Sequence, residues 1–83
     1  MPRGATALTT TAYVPNPVTV SMGTTVTWVN SDVDPHTTTS NTNAFDSGTM
    51  NPGATFSFRF QSSGSFSYIC LIHPNMVGTI VVQ

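Results

Sequence analysis

From Phe56 to Phe60 the chain alternates aromatic and polar residues, Phe56-Ser57-Phe58-Arg59-Phe60, and the same period of two returns at Phe66, Tyr68 and Cys70. A period of two belongs to an extended strand with one face turned inward. Two successive strands with aromatic inner faces are therefore expected, joined by a turn at Gln61-Ser62-Ser63-Gly64, with the Cys70 sulfur on the interior side. Upstream, Thr25-Val26-Thr27-Trp28-Val29-Asn30 obeys the same rule and predicts Val26 and Trp28 inside. Val18-Thr19-Val20 is a short strand before it. Ala5 to Val14, rich in Thr, Tyr and Val, reads as a first strand. Pro15-Asn16-Pro17 interrupts it, because proline cannot donate to a ladder.

After the polar bend Ser31 to Pro35, His36-Thr37-Thr38-Thr39 reads as a short β-branched strand. Asn41 to Gly53 is a long polar connection holding Phe45 and Met50, and Thr79 to Val82 closes the chain. No segment carries a helical period. Seven or so short strands with closely spaced turns predict an all-β, two-sheet antiparallel sandwich. There is no internal repeat and no linker, so residues 1–83 form one domain, large enough for a single core.

Composition narrows the partners. Asp, Glu, Lys and Arg make up 6% of the chain, against roughly 25% in ordinary soluble domains, so solubility rests on Ser, Thr, Asn and Gln. A net charge of -1, with Arg3 and Arg59 far apart, excludes a basic nucleic-acid footprint. No stretch approaches the run of about 20 apolar residues that spans a bilayer. Met1-Pro2-Arg3-Gly4 also lacks the apolar segment of a secretory signal. Such a start suits a mature form or a domain cut from an export-targeted precursor.

The chemistry concentrates in Cys70-Leu71-Ile72-His73-Pro74-Asn75-Met76, which places a thiol, an imidazole and a thioether at the end of a β-type run. Cys70 is the sole cysteine, so it forms no internal disulfide and needs burial or a ligand role. The other histidine, His36, follows Asp34-Pro35. Two imidazoles, one thiolate and one thioether form a donor set that suits copper, a weak axial thioether separating electron-transfer copper sites from zinc sites. Taken singly, each residue also has a plain structural reading: Cys70 as a small buried hydrophobe, His73 as a surface residue before a turn proline, Met76 as core filling. Met22 and Met50 read as packing or loop residues.

Together, Pro17-Val18-Thr19-Val20, Gly23-Thr24-Thr25-Val26-Thr27-Trp28-Val29-Asn30, Asp34-Pro35-His36-Thr37 and Cys70-Leu71-Ile72-His73-Pro74-Asn75-Met76-Val77-Gly78-Thr79-Ile80-Val81-Val82 resemble the cupredoxins, blue copper proteins of the plastocyanin and amicyanin type. The two-residue gaps on either side of His73 are similar to the short ligand loop of amicyanin. The resemblance implies a Greek-key β-sandwich of about seven to eight strands and one mononuclear type 1 copper ion. It assigns the ion to His36, Cys70 and His73, with Met76 as the distant axial ligand. It implies one-electron transfer between a redox donor and acceptor that dock weakly near His73, on an apolar surface supplied by Pro35, Pro74, Met76 and Val77. A monomer in the periplasm or another extracytoplasmic compartment is expected. A proton switch at His73 in the reduced state is a further implication. The backbone amides after His36 and Met76 are the expected donors to the thiolate. Thr37 stands where plastocyanins carry asparagine, and no bracing role is assigned to its side chain.

Other functions fail at identifiable points. A binuclear copper centre needs a second bridging cysteine. Structural zinc sites favour four Cys or His ligands. Asp32, Asp34 and Asp46 are too scattered for an acid pair, and 83 residues offer a Cys-His nucleophile no obvious cleft or oxyanion machinery. Copper delivery or storage, or electron entry into a larger redox enzyme, are the alternatives to a free carrier.

Overall fold

A computed structural model describes all residues from Met1 to Gln83. The alternating segments form its ladders. Thr25–Val29 (β2) and Thr55–Arg59 (β4) pair antiparallel, with Trp28 opposite Phe56 and Val26 opposite Phe58. Thr25, Thr27, Ser57 and Arg59 take the outer face, as the period of two requires. Gly64–Ile69 (β5) and Val77–Val82 (β6) form the longest ladder, from Gly64↔Val82 to Ile69↔Val77. Val18–Val20 (β1) lies along the other edge of β6, and Thr39–Ser40 (β3) along the other edge of β5. The result is one four-stranded sheet, β1-β6-β5-β3, facing a two-stranded sheet, β2-β4.

Aromatic rings fill the space between the sheets. Trp28 stacks on Phe56 at 5.6 Å, lies 5.4 Å from Phe45 and meets Tyr68 edge-on at 5.5 Å. Such pairs add to the burial of large apolar rings, the main driving force for so small a core. Phe45 reaches this cluster from the long connection between β3 and β4, and Met50 in the same segment is also buried. Gly78 sits opposite Tyr68 in the β5–β6 ladder, and a Cβ there would collide with the tyrosine ring. Glycine at this position lets the ring lie flat across β6.

Four expectations change. There are six strands rather than seven or eight, and β1 runs parallel to β6, so the sandwich is not wholly antiparallel. Ala5 to Val14 forms no strand. Ala5–Ala7 makes a single 3-10 turn after a left-handed Gly4, through Ala5 N–H to Pro2 O and Ala7 N–H to Gly4 O. The rest of the segment is pinned by side chains: the Asn75 amide donates to Thr6 O and Leu8 O, and the Asn16 amide to Thr10 O and Val77 O. Its backbone groups thus find partners without a ladder. The strand expected at His36–Thr39 starts only at Thr39, and His36 instead makes a reciprocal bridge with Met50, N–H to O at 3.0 and 2.7 Å.

Candidate metal centre

Register delivers the site. β3 and β5 pair at Thr39↔Ile69, so the residues just before β3 run beside those just after β5. His36 and Thr37 thereby meet Cys70 and Leu71. The loop Cys70–Met76 is the β5–β6 hairpin connection, closed by Ile69↔Val77 and by the Cys70 N–H donating to Met76 O at 3.1 Å. The Met76 N–H donates to His73 O at 3.0 Å, a tight turn around Pro74 and Asn75 that keeps both ends of the loop close.

His36, Cys70 and His73 converge. Cys70 Sγ lies 3.8 Å from His36 Nδ1 and 4.0 Å from His73 Nδ1, and the two Nδ1 atoms are 3.3 Å apart. A point equidistant from the three lies about 2.2 Å from each, within the range of metal–nitrogen and metal–sulfur bonds, about 2.0 to 2.3 Å. The donor triangle has the dimensions that would hold a single metal ion. His36, Cys70 and Met76 are all 0% exposed, whereas His73 is half-buried. Met76, the fourth expected donor, is therefore buried and contributes nothing to the surface.

Hydrogen bonds hold both the sulfur and one imidazole in place. The Thr37 N–H and His73 N–H point at Cys70 Sγ, at 3.3 and 3.4 Å. The first of these is the amide expected after His36. The second replaces the amide expected after Met76, because the Val77 N–H donates to Thr9 O instead. Asp32 Oδ2 lies 2.7 Å from His36 Nε2. The bond to His36, joined by the N–H groups of Gly4 and Val33 on Oδ1, holds the Asp32 carboxyl below its ordinary range, at about 2, against the opposing effect of burial. An ionised carboxylate only accepts, so the His36 proton sits on Nε2 and Nδ1 keeps its lone pair for a metal. Asn30 secures this corner: its amide donates to Asp34 O and Met50 O, and its Oδ1 accepts from the Asp32 N–H.

Thr37 braces the site with its side chain. Its Oγ1 accepts the Leu71 N–H at 2.8 Å, tying the residue after one candidate ligand to the residue after another. Tyr13, from the amino-terminal segment, adds a buried hydroxyl bond to Thr37 O. Of the four residues picked out in the sequence, the fold brings the donor atoms of His36, Cys70 and His73 together and buries Met76 at the end of the same loop. Asp32, Asn30 and Tyr13 were missed. Looking for acid pairs overlooks Asp32 because its partner is a histidine. The available signal is the Asp32…His36 spacing of four across the Asp34-Pro35 bend. Around His73 the exposed apolar side chains also differ from expectation: Pro35 and Pro74 are exposed as expected, Val77 is half-buried, and Leu71 and Ile72 are the large hydrophobics presented by the loop.

Comparison with known proteins agrees with this geometry. Residues 4–83 match the family model of copper binding proteins of the plastocyanin/azurin type. Amicyanin from Paracoccus versutus is 33% identical over 76 residues, covering 86% of this chain and 58% of the relative. Plastocyanin from Scenedesmus fuscus is 34% identical over 84 residues, covering 86% of each. Among solved structures, a novel purple cupredoxin from Nitrosopumilus maritimus superposes with a TM-score of 0.89 at 34% identity, covering 99% of this chain and 94% of that one. A methionine-to-alanine variant of amicyanin in its Cu(I) form gives a TM-score of 0.76 at 30% identity, covering 82% of this chain and 70% of that one. The chain belongs to the plastocyanin/azurin family of copper-binding proteins, with the cupredoxin β-sandwich and a single type 1 copper ion as its cofactor. It spans little more than half of the amicyanin's length but most of the plastocyanin's.

Proposed function

We propose that this domain, residues 1–83, is a one-electron carrier in which His36, Cys70, His73 and the Met76 thioether would hold a copper ion. The observation that supports it best is the triangle of Cys70 Sγ and two Nδ1 atoms, with sulfur accepting two backbone N–H bonds and three of the four donor residues fully buried. Bound there, copper supplies reversible Cu(I)/Cu(II) chemistry; a trigonal His₂Cys set with a weak axial thioether is the electron-transfer arrangement.

The residues perform the rest. Asp32 fixes the His36 tautomer, Thr37 locks the two ligand segments together, and the His36–Met50 bridge resists displacement. A donor set held this firmly changes little between oxidation states, so little reorganisation accompanies each electron. His73 is the one ligand candidate with access to solvent and is the door for electrons. Leu71, Ile72 and Pro74 flank it with apolar surface, which suits brief docking of redox partners through a small interface. In keeping with the copper-binding family it belongs to, the chain serves as a carrier rather than an enzyme. No helix is long and apolar enough to cross a membrane. A monomer working in an extracytoplasmic compartment completes this reading. Delivery or storage is disfavoured by three sealed donors, since handing over an ion requires donors that reach the surface.

Spectroelectrochemistry of the copper-loaded protein tests this function. One electron per chain, taken up and released reversibly over repeated cycles with copper retained, is expected. Loss of copper on reduction would overturn the carrier reading in favour of delivery.

A further inference from the structure

We propose that Thr39 and Asp46 are positioning residues of the copper site, acting on Cys70 through a line of hydroxyl groups that ends at Thr37. The inference rests on the copper-site reading above and adds residues outside the four candidate ligands. The Leu71 N–H donates to Thr37 Oγ1 at 2.8 Å. Thr37 Oγ1 lies 2.9 Å from Thr39 Oγ1, which in turn bonds Asp46 Oδ1 at 3.1 Å.

The two ends settle the direction of every bond. An amide N–H only donates and a carboxylate only accepts, so Thr37 must donate to Thr39 and Thr39 to Asp46. Asp46 is itself fixed by the Gly48 N–H on the same oxygen at 2.9 Å and by the Thr39↔Asp46 bridge. Both threonines are buried, and bonds aligned head to tail polarise one another. The carboxylate thereby makes Thr37 Oγ1 a stronger acceptor for the Leu71 N–H. Leu71 directly follows Cys70, and Thr37 also directs its own N–H at Cys70 Sγ, so one anchor holds both the sulfur and the backbone leaving it. Asp46 lies on the solvent side of the long connection, well away in sequence from all four candidate ligands. Its carboxylate is the surface end of a line that reaches Thr37, whose own N–H faces the Cys70 sulfur.

Thr39→Val removes the middle hydroxyl at nearly constant shape, Thr39→Ser restores it, and Asp46→Asn removes the terminal charge. In the copper-free protein, the Leu71 amide proton is expected to exchange about tenfold faster in Thr39→Val and measurably faster in Asp46→Asn, and to return to the parent rate in Thr39→Ser. In the copper-loaded protein, Thr39→Val is expected to lower the reduction potential and shift the thiolate-to-copper absorption, because a looser N–H···S contact lets the sulfur donate more to oxidised copper. Asp46→Asn should alter the Leu71 amide in the parent and leave it unchanged once Thr39→Val is present. A Leu71 amide insensitive to Thr39→Val and Asp46→Asn, or a Thr39→Ser variant that behaves like Thr39→Val, overturns the relay. Should Thr39→Val not fold, Asp46→Asn with the Leu71 exchange rate decides alone. A parent protein without thiolate-to-copper absorption would instead refute the copper site, while the amide data still judge the relay.

Discussion

Asp32 and His36 form a buried pair, Oδ2 to Nε2 at 2.7 Å, in which neither side chain is exposed to solvent. The carboxylate orients the imidazole and adds negative charge behind it. Asp32→Ala should therefore weaken copper binding by about 10- to 100-fold, the usual cost of losing a partner of a ligating histidine. It should also raise the reduction potential, because oxidised copper loses a stabilising charge. Competition against a chelator measures the affinity; a value equal to the parent's would contradict the role.

The alkaline limit of stability follows from Tyr13. Burial, reinforced by the nearby Cys70 and Tyr68, pushes its phenol far above the ordinary range of tyrosine. A group with a raised folded-state pKa contributes stability that is complete below its unfolded value and lost as pH rises beyond it. Tyrosine's contribution to the unfolding free energy of the copper-free protein should fall away above about pH 10, the ordinary value for a tyrosine in an unfolded chain. Phenolate absorbance from Tyr13 should appear only together with unfolding. Tyr13→Phe should lessen the decline, the remainder coming from Tyr68, whose phenol is also pushed up by burial.

Gly78→Ala places a methyl group into the Tyr68 ring. Overpacking of this kind costs about 1 to 3 kcal/mol, and denaturant unfolding should show a loss of that size. A neutral result would mean that the ring moves aside without cost.

How much was legible in the sequence depends on where the side chains point. Phe56 to Cys70 was readable because a strand with one buried face writes its alternation directly into the chain. The Cys70–Met76 loop was readable because all its donors lie close together in sequence. Ala5 to Val14 was not. Its Thr and Val residues favour strands on average, but the amides that fix it, from Asn16 and Asn75, follow no period and meet it only in the folded chain. The bracing role of Thr37 is hidden from the sequence for a similar reason. A hydroxyl that accepts from Leu71 and donates to Thr39 is defined only once β3 and β5 are in register.

Electron exchange should depend weakly on salt. With a net charge of -1 and 6% charged residues, the surface offers little long-range steering. Rates with a redox partner, followed by stopped flow across ionic strengths, should change by less than about tenfold. A steep dependence would place a charged dock elsewhere than the apolar surface at His73.

Met76→Leu should keep the strong colour and raise the potential, since the weak axial donor stabilises oxidised copper without creating the thiolate band. Replacing Cys70 goes to the heart of the matter. The visible absorption spectrum of the copper-free protein titrated with Cu(II) should develop an intense band that saturates at one ion per chain and bleaches reversibly with reductant, and Cys70→Ser should abolish it. A colourless parent, or a Cys70→Ser variant with the same band, would contradict a thiolate-bound copper centre at Cys70.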